Sequence, residues 1–340
     1  MNGAEDGGMS IGIGVIGAGV MGGDHARTIA TSVGGAHLAA VSDADAERTA
    51  RVAAQTGAAH RHADGMALIV DATVDAVLVA SPDHTHADFV LACLQAGKPV
   101  LCEKPLAANA AQCQAVIAAE VALGRRLVQV GFMRRFDPAY AGMQARCAAG
   151  ELGAPVMLHN LHHNAGAPPW FDAEMVITNA AVHEIDVTRW LLGQEIVGAT
   201  VFVPGGAGAA VRDRLLLVFE TAGGAIADVG VFVNAAYGYD VRAELVCERG
   251  TLARDERDPV VLRHDGRAAL AFAPDWRAHF AAAYRLQLQA WVQSIRSGVP
   301  VGASAWDGYA ATATADACVR ALRSGERVRV ELAPRPPLYG

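Results

Sequence analysis

Lysine is nearly missing from this chain. Of its 28 lysine and arginine residues only Lys98 and Lys104 are lysines, so arginine carries positive charge almost everywhere. Heavy alanine and arginine usage points to a high-GC genome, which accounts for much of the shortage. A lysine kept where arginine is the rule also fits a task that guanidinium does not perform, because an ammonium is a compact point charge whose pKa moves readily on burial. Other features are scarce too. The net charge is −7 and no basic cluster offers a footprint for a phosphate backbone, so no nucleic-acid partner is expected. The longest uncharged apolar stretch, residues 197 to 211, is cut by Pro204 and several glycines, so no membrane span is expected. Residues 1–10 are acidic and glycine-rich, without a cationic stretch or an apolar core, and read as a flexible tail rather than a signal peptide. The six cysteines (Cys93, Cys102, Cys113, Cys147, Cys247 and Cys318) form no CxxC pair, which suits buried thiols of a cytoplasmic protein.

What is present is a large apolar content, 52% of 340 residues, enough for about two domains. Residues 11–131 alternate strand and helix signals. Apolar strands are expected at Ile11–Ile16, His37–Ser42, Ala76–Ala80, Pro99–Cys102 and Leu127–Val130, with helices between them that stop at glycines such as Gly57, Gly97 and Gly124. Continuous apolar strands between helices imply a parallel sheet covered on both faces, a doubly wound α/β domain. From residue 132 to 340 the pattern changes. A helix is expected over Asn179–Leu192, and strands follow one another at Val197–Val203, Arg214–Glu220, Ala225–Val233, Asp240–Cys247 and Val260–Leu262. Helices at His279–Arg296 and Trp306–Leu322 and a last strand at Val328–Leu332 close the chain. The expectation is an α+β domain with a large, mainly antiparallel open sheet.

Four motifs carry chemistry. Gly17, Gly19 and Gly22, with Val20 and Met21 between, form GxGxxG after a strand and at the start of a helix. Glycines there permit a tight turn, close approach of a pyrophosphate and helix–strand packing, and the helix N-terminus offers N–H groups to phosphate. The next strand ends at Asp43, where a carboxylate suits a ribose 2′-hydroxyl and repels a 2′-phosphate, so NAD is preferred over NADP. The competing structural role for Asp43 is a helix N-cap. Ser81-Pro82 with His86, and Glu103-Lys104-Pro105, follow parallel strands, where ligands bind in such sheets. In the second domain Asn179 and His183 stand four apart on the expected helix and so share a face; a neutral histidine is a natural general base. His183-Glu184-Ile185-Asp186 is not a zinc helix, because the second histidine of HExxH is missing, and His159, His162 and His163 alternate faces along a strand, so no metal is expected.

These motifs, in this order, resemble the Gfo/Idh/MocA family of NAD(P)-dependent oxidoreductases from Ile11 to about Leu332. Within it the chain is most similar to bacterial inositol 2-dehydrogenases. That narrower likeness rests on the segment from Gly131 to Pro138, on His162-His163-Asn164, on His183-Glu184-Ile185-Asp186 with Arg189-Trp190, on Tyr237-Gly238-Tyr239-Asp240, and on Trp306-Asp307-Gly308-Tyr309. The resemblance implies hydride transfer from a secondary ring hydroxyl of a polyol to NAD. In it Lys104 holds the reacting oxygen and the nicotinamide ribose, and His183 takes the hydroxyl proton. Met133, Arg134, Asn164, Ala180 and Tyr239 match positions turned toward the substrate. Some members of the family use bound NAD in a redox-neutral glycoside cleavage, and a non-catalytic NAD-binding regulator is a third reading; the pair Lys104 and His183 argues against the regulator. The resemblance also implies a homotetramer, with a dimer as the other arrangement left open, because few helices follow to cover the large sheet.

The chain departs from the resemblance at the substrate side. Asn179 and Ala180 stand where these dehydrogenases carry aspartate and threonine, and His163 stands where arginine is common. An amide raises a neighbouring histidine's pKa less than a carboxylate does and accepts hydrogen bonds more weakly. The expectation is weaker oxidation of myo-inositol, or preference for a modified cyclitol or sugar.

Overall fold

The computed structural model describes residues 10–205, 213–254 and 261–340. The expected tail lies outside these residues except for Ser10, as does Val260 of one expected strand. Two compact units are present. The first takes in Met1–Phe132, Tyr284–Tyr309 and Arg335–Gly340, and the second Met133–Ala283 and Ala310–Pro334.

In the first unit, strands β1 (Ile11–Ile16), β2 (Ala36–Ser42), β3 (His60–His62), β4 (Ala76–Val79), β5 (Val100–Cys102) and β6 (Val128–Val130) form one sheet in the order β3-β2-β1-β4-β5-β6. Every neighbouring pair is parallel. Each residue of β1, β4, β5 and β6 is buried, the consequence of helices on both faces. The strand order reverses between β1 and β4, and that switch point is where such sheets bind ligands. β3 was not expected, because His60-Arg61-His62 has no apolar run; it survives as a three-residue edge strand paired only with β2. Leu288, Trp291 and Val292 belong to the core that also holds Ile13, Ile29 and Leu38, which is why residues 284–309 return to this unit.

In the second unit, β7 (Pro155–His163), β8 (Ile196–Phe202), β9 (Arg214–Thr221), β10 (Ile226–Phe232), β11 (Asp240–Cys247), β12 (Gly250–Arg254) and β15 (Val328–Arg329) form a sheet in the order β12-β11-β7-β10-β9-β8-β15. Only β7 and β10 pair in parallel. A hairpin of β13 (Val261–His264) and β14 (Arg267–Leu270) stands apart from it. Side chains alternate across the large sheet: Leu215, Leu217 and Phe219 of β9 and Ala227, Val229 and Val231 of β10 are buried, while Leu216 and Ile226 lie exposed on the other face.

The helix expected at Asn179 has a different start. Residues Val176–Ala181 form a π-helical turn and the α-helix runs Val182–Leu192, ending at Gly193 with φ +63°. The helix expected from His279 is broken: Trp276–His279 ends at the fully buried Phe280, and Ala281–Ser297 follows. A further helix, Pro138–Ala148, was not expected, although its start is written in Asp137-Pro138. The Asp137 carboxylate accepts from the N–H groups of Ala139 and Tyr140, and proline fills the first helical position.

Candidate active site

The glycine turn after β1 has little room for side chains. Gly17 has φ +98°, and a Cβ there would lie 2.4 Å from the Ala80 carbonyl oxygen. A Cβ on Gly22 would lie 1.8 Å from the Gly17 oxygen. Gly19 is different: a Cβ there would meet nothing within 4 Å. Gly19 is also the N-cap of the helix Val20–Ser32, and no side chain caps that helix. Open space in front of an N-terminus without a side-chain cap and without acidic residues in its first turn fits a pyrophosphate.

Asp43 follows β2 and leans on the same turn. Its Oδ2 accepts from the Ala18 N–H at 2.6 Å and its Oδ1 from the Asp45 N–H at 2.8 Å. The N-cap of the next helix, Ala46–Thr56, is Asp45, whose Oδ1 accepts from Glu47 and Arg48. The capping role weighed for Asp43 therefore belongs to its neighbour. Asp43 instead braces the glycine turn with its carboxylate.

The loops after β4 and β5 lie at the same end of the sheet. The Ser81 backbone nitrogen lies 2.8 Å from where a Gly17 Cβ would be, so this loop is packed against the glycine turn. Ser81 Oγ pairs with Thr85 Oγ1 at 2.6 Å, and Pro82 precedes the short 3₁₀ turn Asp83–Thr85. His86 is 1% exposed, and its ring nitrogens face the carbonyl oxygens of Ser81 at 2.9 Å and Pro105 at 2.7 Å. Its position makes it a strut between two loops. Glu103 is buried; its Oε1 lies 2.7 Å from His25 Nε2, and its Oε2 accepts from the Lys104 N–H at 3.2 Å. Burial pushes the Glu103 carboxyl up, but His25 and Lys104 more than offset this and the net shift is downward. Lys104 is half-buried and joined to Pro105 by a cis peptide bond.

In the second unit the helix Val182–Leu192 is buried over ten of its eleven residues, yet it carries His183, Glu184, Asp186, Thr188 and Arg189. Buried charges need partners, and Glu184, Asp186 and Arg189 have them. Asp186 takes a two-pronged contact from Arg135 at 2.9 and 2.6 Å, and Arg189 gives one to Glu195 at 2.6 and 2.8 Å. Glu184 Oε1 pairs with Arg134 Nη1, and its Oε2 lies 2.9 Å from His162 Nδ1. Burial pushes the Glu184 carboxyl up, and Arg134 with His162 more than reverses that, holding it at about 2.

That cluster continues toward the other candidate residues. His162 Nε2 lies 3.1 Å from Asn164 Oδ1, and the His162 ring meets the Tyr239 ring edge-on at 5.8 Å. Tyr239 is buried, and desolvation is the first reason its hydroxyl is pushed up to about 12. Arg134 also stacks over Phe280 at 5.3 Å. Met133 and Ala180 are buried, Asn179 is partly exposed, and His183 is 8% exposed. The i, i+4 relation of Asn179 to His183 assumed one continuous α-helix, but Asn179 sits in the π turn, whose wider ring changes its angular offset from His183. His163 needs a correction. It lies on the outward face of β7, opposite His162, with Nδ1 2.7 Å from Tyr237 Oη and its ring against Phe232, so strand alternation turns it away from the helix bearing His183.

A sheet with this switch point, a glycine cradle open to phosphate and an acidic brace after β2 describe a dinucleotide-binding unit. The family model for oxidoreductases with an NAD-binding Rossmann fold (GFO_IDH_MocA) matches residues 11–132, and the model for the family's C-terminal alpha/beta domain matches residues 146–332. The chain belongs to the Gfo/Idh/MocA oxidoreductase family. Among its relatives in that family, inositol 2-dehydrogenase 1 of Saccharopolyspora erythraea is 55% identical over 98% of this chain and 100% of its own. Inositol 2-dehydrogenase of Pseudomonas fluorescens is 45% identical over 97% of this chain and 100% of its own. The crystal structure of myo-inositol dehydrogenase from Lactobacillus casei, in complex with NAD(H) and myo-inositol, matches with a TM-score of 0.92 at 32% identity. It covers 98% of this chain and 100% of that one. Family membership makes the chain an NAD-binding oxidoreductase of two-domain architecture. No helix among the described residues is long and apolar enough to cross a membrane.

Proposed function

We propose that this protein is an NAD-dependent dehydrogenase that oxidises a secondary ring hydroxyl of a cyclitol, myo-inositol to its 2-keto product or a close analogue. The observation that carries the reading is the 55% identity, over 98% of this chain and 100% of the relative, to a protein named inositol 2-dehydrogenase 1. The glycine cradle and Asp43 would hold NAD, which supplies the hydride acceptor. The Asp43 carboxylate favours NAD over NADP, because a 2′-phosphate brought to it would place like charges together. Lys104 orients the hydroxyl and stabilises the developing alkoxide, as a cation beside a reacting oxygen does. His183 takes the proton. Arg134, tied to Glu184, and Asn164, tied to His162, enter the substrate side with their side chains already oriented. Met133, Ala180 and Tyr239 complete that side.

Asn179 and Ala180 support a narrower form of the proposal, in which the preferred substrate is a modified cyclitol, an aminocyclitol or a sugar. The exposed outward face of the second sheet, with Phe202, Leu216 and Ile226 on it, supports assembly as a homotetramer. The scattered thiols support a cytoplasmic location. The test is a panel of polyols and sugars assayed with NAD and NADP in parallel. Net NADH absorbance with a free cyclitol is the expected outcome. Product release from glycosides without net NADH would replace the reading by redox-neutral cleavage, and a strong NADP preference would overturn the role given to Asp43.

A further inference from the structure

One cluster of ligating groups among the described residues belongs to neither the glycine turn nor the helix bearing His183. His60 and His62 are two apart on the edge strand β3 and so point to one side of it. Facing them is Asp71, in the segment that leads to β4. The Asp71 Oδ2 lies 2.6 Å from His60 Nδ1 and 2.9 Å from His62 Nε2. The other oxygen, Oδ1, is already engaged: it accepts from the Thr73 N–H at 2.8 Å and from Thr73 Oγ1 at 2.7 Å. Thr73 thus fixes the carboxylate so that one oxygen is aimed between two imidazoles. Among the described residues this is the one group of three histidine, cysteine or acidic side chains whose ligand atoms converge. Neither the glycine cradle nor the helix bearing His183 includes any of the three.

The geometry points to a binding site for a divalent transition metal of the zinc type at this sheet edge. Two imidazoles can share a single carboxylate oxygen only when both facing nitrogens carry a proton. When a dication takes their place, each neutral imidazole carries its proton on the other ring nitrogen, and an imidazolium releases its extra proton to solvent; two neutral imidazole nitrogens and one carboxylate oxygen are then the ligands, a donor set that suits Zn²⁺, Co²⁺ or Ni²⁺ rather than Mg²⁺ or Ca²⁺. Metal–ligand bonds of about 2.0–2.1 Å in a tetrahedron set ligand atoms about 3.3 Å apart. Each imidazole then needs to withdraw by roughly half an ångström from its present distance. His60, with 44% of its side chain exposed, and His62, with 22%, have room to do so, and the exposed side admits the ion and a water as fourth ligand. The Thr73 contacts supply the outer hydrogen bonds that orient a ligating carboxylate. One cation is near: Lys98 Nζ donates to the Asp71 carbonyl oxygen at 2.9 Å. It approaches the backbone rather than the carboxylate and weakens the site without occupying it. Bound metal would join the edge strand to the segment before β4, and β3 has no second strand to hold it.

The test uses the full-length protein, stripped with chelator and then titrated with Co²⁺ while the visible d–d absorption is recorded. One equivalent per chain, a tetrahedral-type spectrum and displacement by Zn²⁺ are expected. Co²⁺ affinity is expected to fall at least tenfold in His62→Ala and in Asp71→Asn. His264→Ala, which removes an exposed histidine beside Asp265, serves as control and should leave the titration unchanged. Zn²⁺ should raise the melting temperature of the wild type and not that of His62→Ala. The metal-free melting temperatures show that the variants are folded. If His62→Ala is unstable, Asp71→Asn alone decides. A wild-type titration without visible absorption, or one that matches the two variants, would overturn the site.

Discussion

Arg134 and Glu184 form the most deeply buried ion pair on the helix carrying His183. Both side chains are 1% exposed. Arg134→Met keeps most of the volume and removes the charge. The Glu184 carboxylate then stays in the interior with His162 as its remaining polar neighbour at 2.9 Å. Stranding one member of a buried pair costs about 3–5 kcal/mol. Each kcal/mol lowers the midpoint of a unit of this size by about 2–4 °C, so the variant should melt roughly 6–20 °C below wild type. Glu184→Gln strands the guanidinium instead and should cost a similar amount. The double variant removes both charges at once and leaves only a neutral amide facing His162. Its cost should lie near or below that of either single change, far from their sum, as expected when two residues act as a pair. Urea unfolding at fixed protomer concentration measures all four proteins. Strictly additive losses, or a loss below about 1 kcal/mol in Arg134→Met, would refute the pairing argument.

The same pair gives a pH signature. Glu184 is held at about 2 in the folded protein, against an ordinary value of 4.5. A depressed folded pKa means that the stabilisation is present above the ordinary value and is lost as pH falls from there toward about 2. The wild type should therefore lose stability through that window more steeply than the double variant.

The remaining predictions concern the candidate site. Gly22→Ala drives a Cβ to 1.8 Å from the Gly17 oxygen, so the turn must open; the dissociation constant for NAD should rise at least about tenfold, measured by fluorescence titration. Lys104→Arg should lose most of its turnover while NAD binding stays largely intact, and near-normal turnover would defeat the catalytic assignment. Asn179→Asp should raise the rate on myo-inositol or shift substrate preference toward it; an unchanged panel would remove Asn179 from the specificity argument. Asp43→Ala should narrow the ratio of NAD to NADP activity, and an unchanged ratio would show that discrimination lies elsewhere.

The nucleotide-binding unit was legible because its signals are local. The apolar runs at Ile11–Ile16 and Ala76–Val79 and the glycines at 17, 19 and 22 each state their geometry within a few residues. What could not be read was set by partners far along the chain. Nothing in His60-Arg61-His62 announces a strand; it becomes one because β2 offers it a free edge. Nothing in residues 284–309 announces that Trp291 completes the core around Ile29 rather than packing with its sequence neighbours. The π turn at Val176–Ala181 leaves no pattern of its own, so continuous α geometry was assumed for Asn179 and His183. The alternation of His162 and His163 between the two faces of β7 could be read from strand geometry, but which face meets the helix bearing His183 could not: the structure sets His162 beside Glu184 and turns His163, expected on the substrate side, away.

The scarcity of lysine looks different once the second unit is known. A helix that is buried over ten of eleven residues and still carries charge needs partners that satisfy two carboxylate oxygens at once. Arginine does this with a rigid fork, and lysine does not. At that helix Arg135 on Asp186 and Arg189 on Glu195 make two-pronged contacts, and the exposed pairs of Arg323 with Glu174 and Arg327 with Glu220 repeat the geometry at the surface. Genome composition and structural need therefore push the same way in the second unit, and arginine there says little about catalysis. Both lysines lie in the first unit, and they are not equivalent. Lys98 spends its ammonium on the Asp71 carbonyl. Lys104 follows a parallel strand, on a loop held by the contacts of Glu103 with His25 and with the Lys104 N–H and by the contact of His86 with the Pro105 oxygen. An ammonium on a slender stem makes the Lys98 contact with one point of charge. Of the two, only Lys104 directly follows a strand of the parallel sheet, at the carboxyl end where such sheets bind ligands.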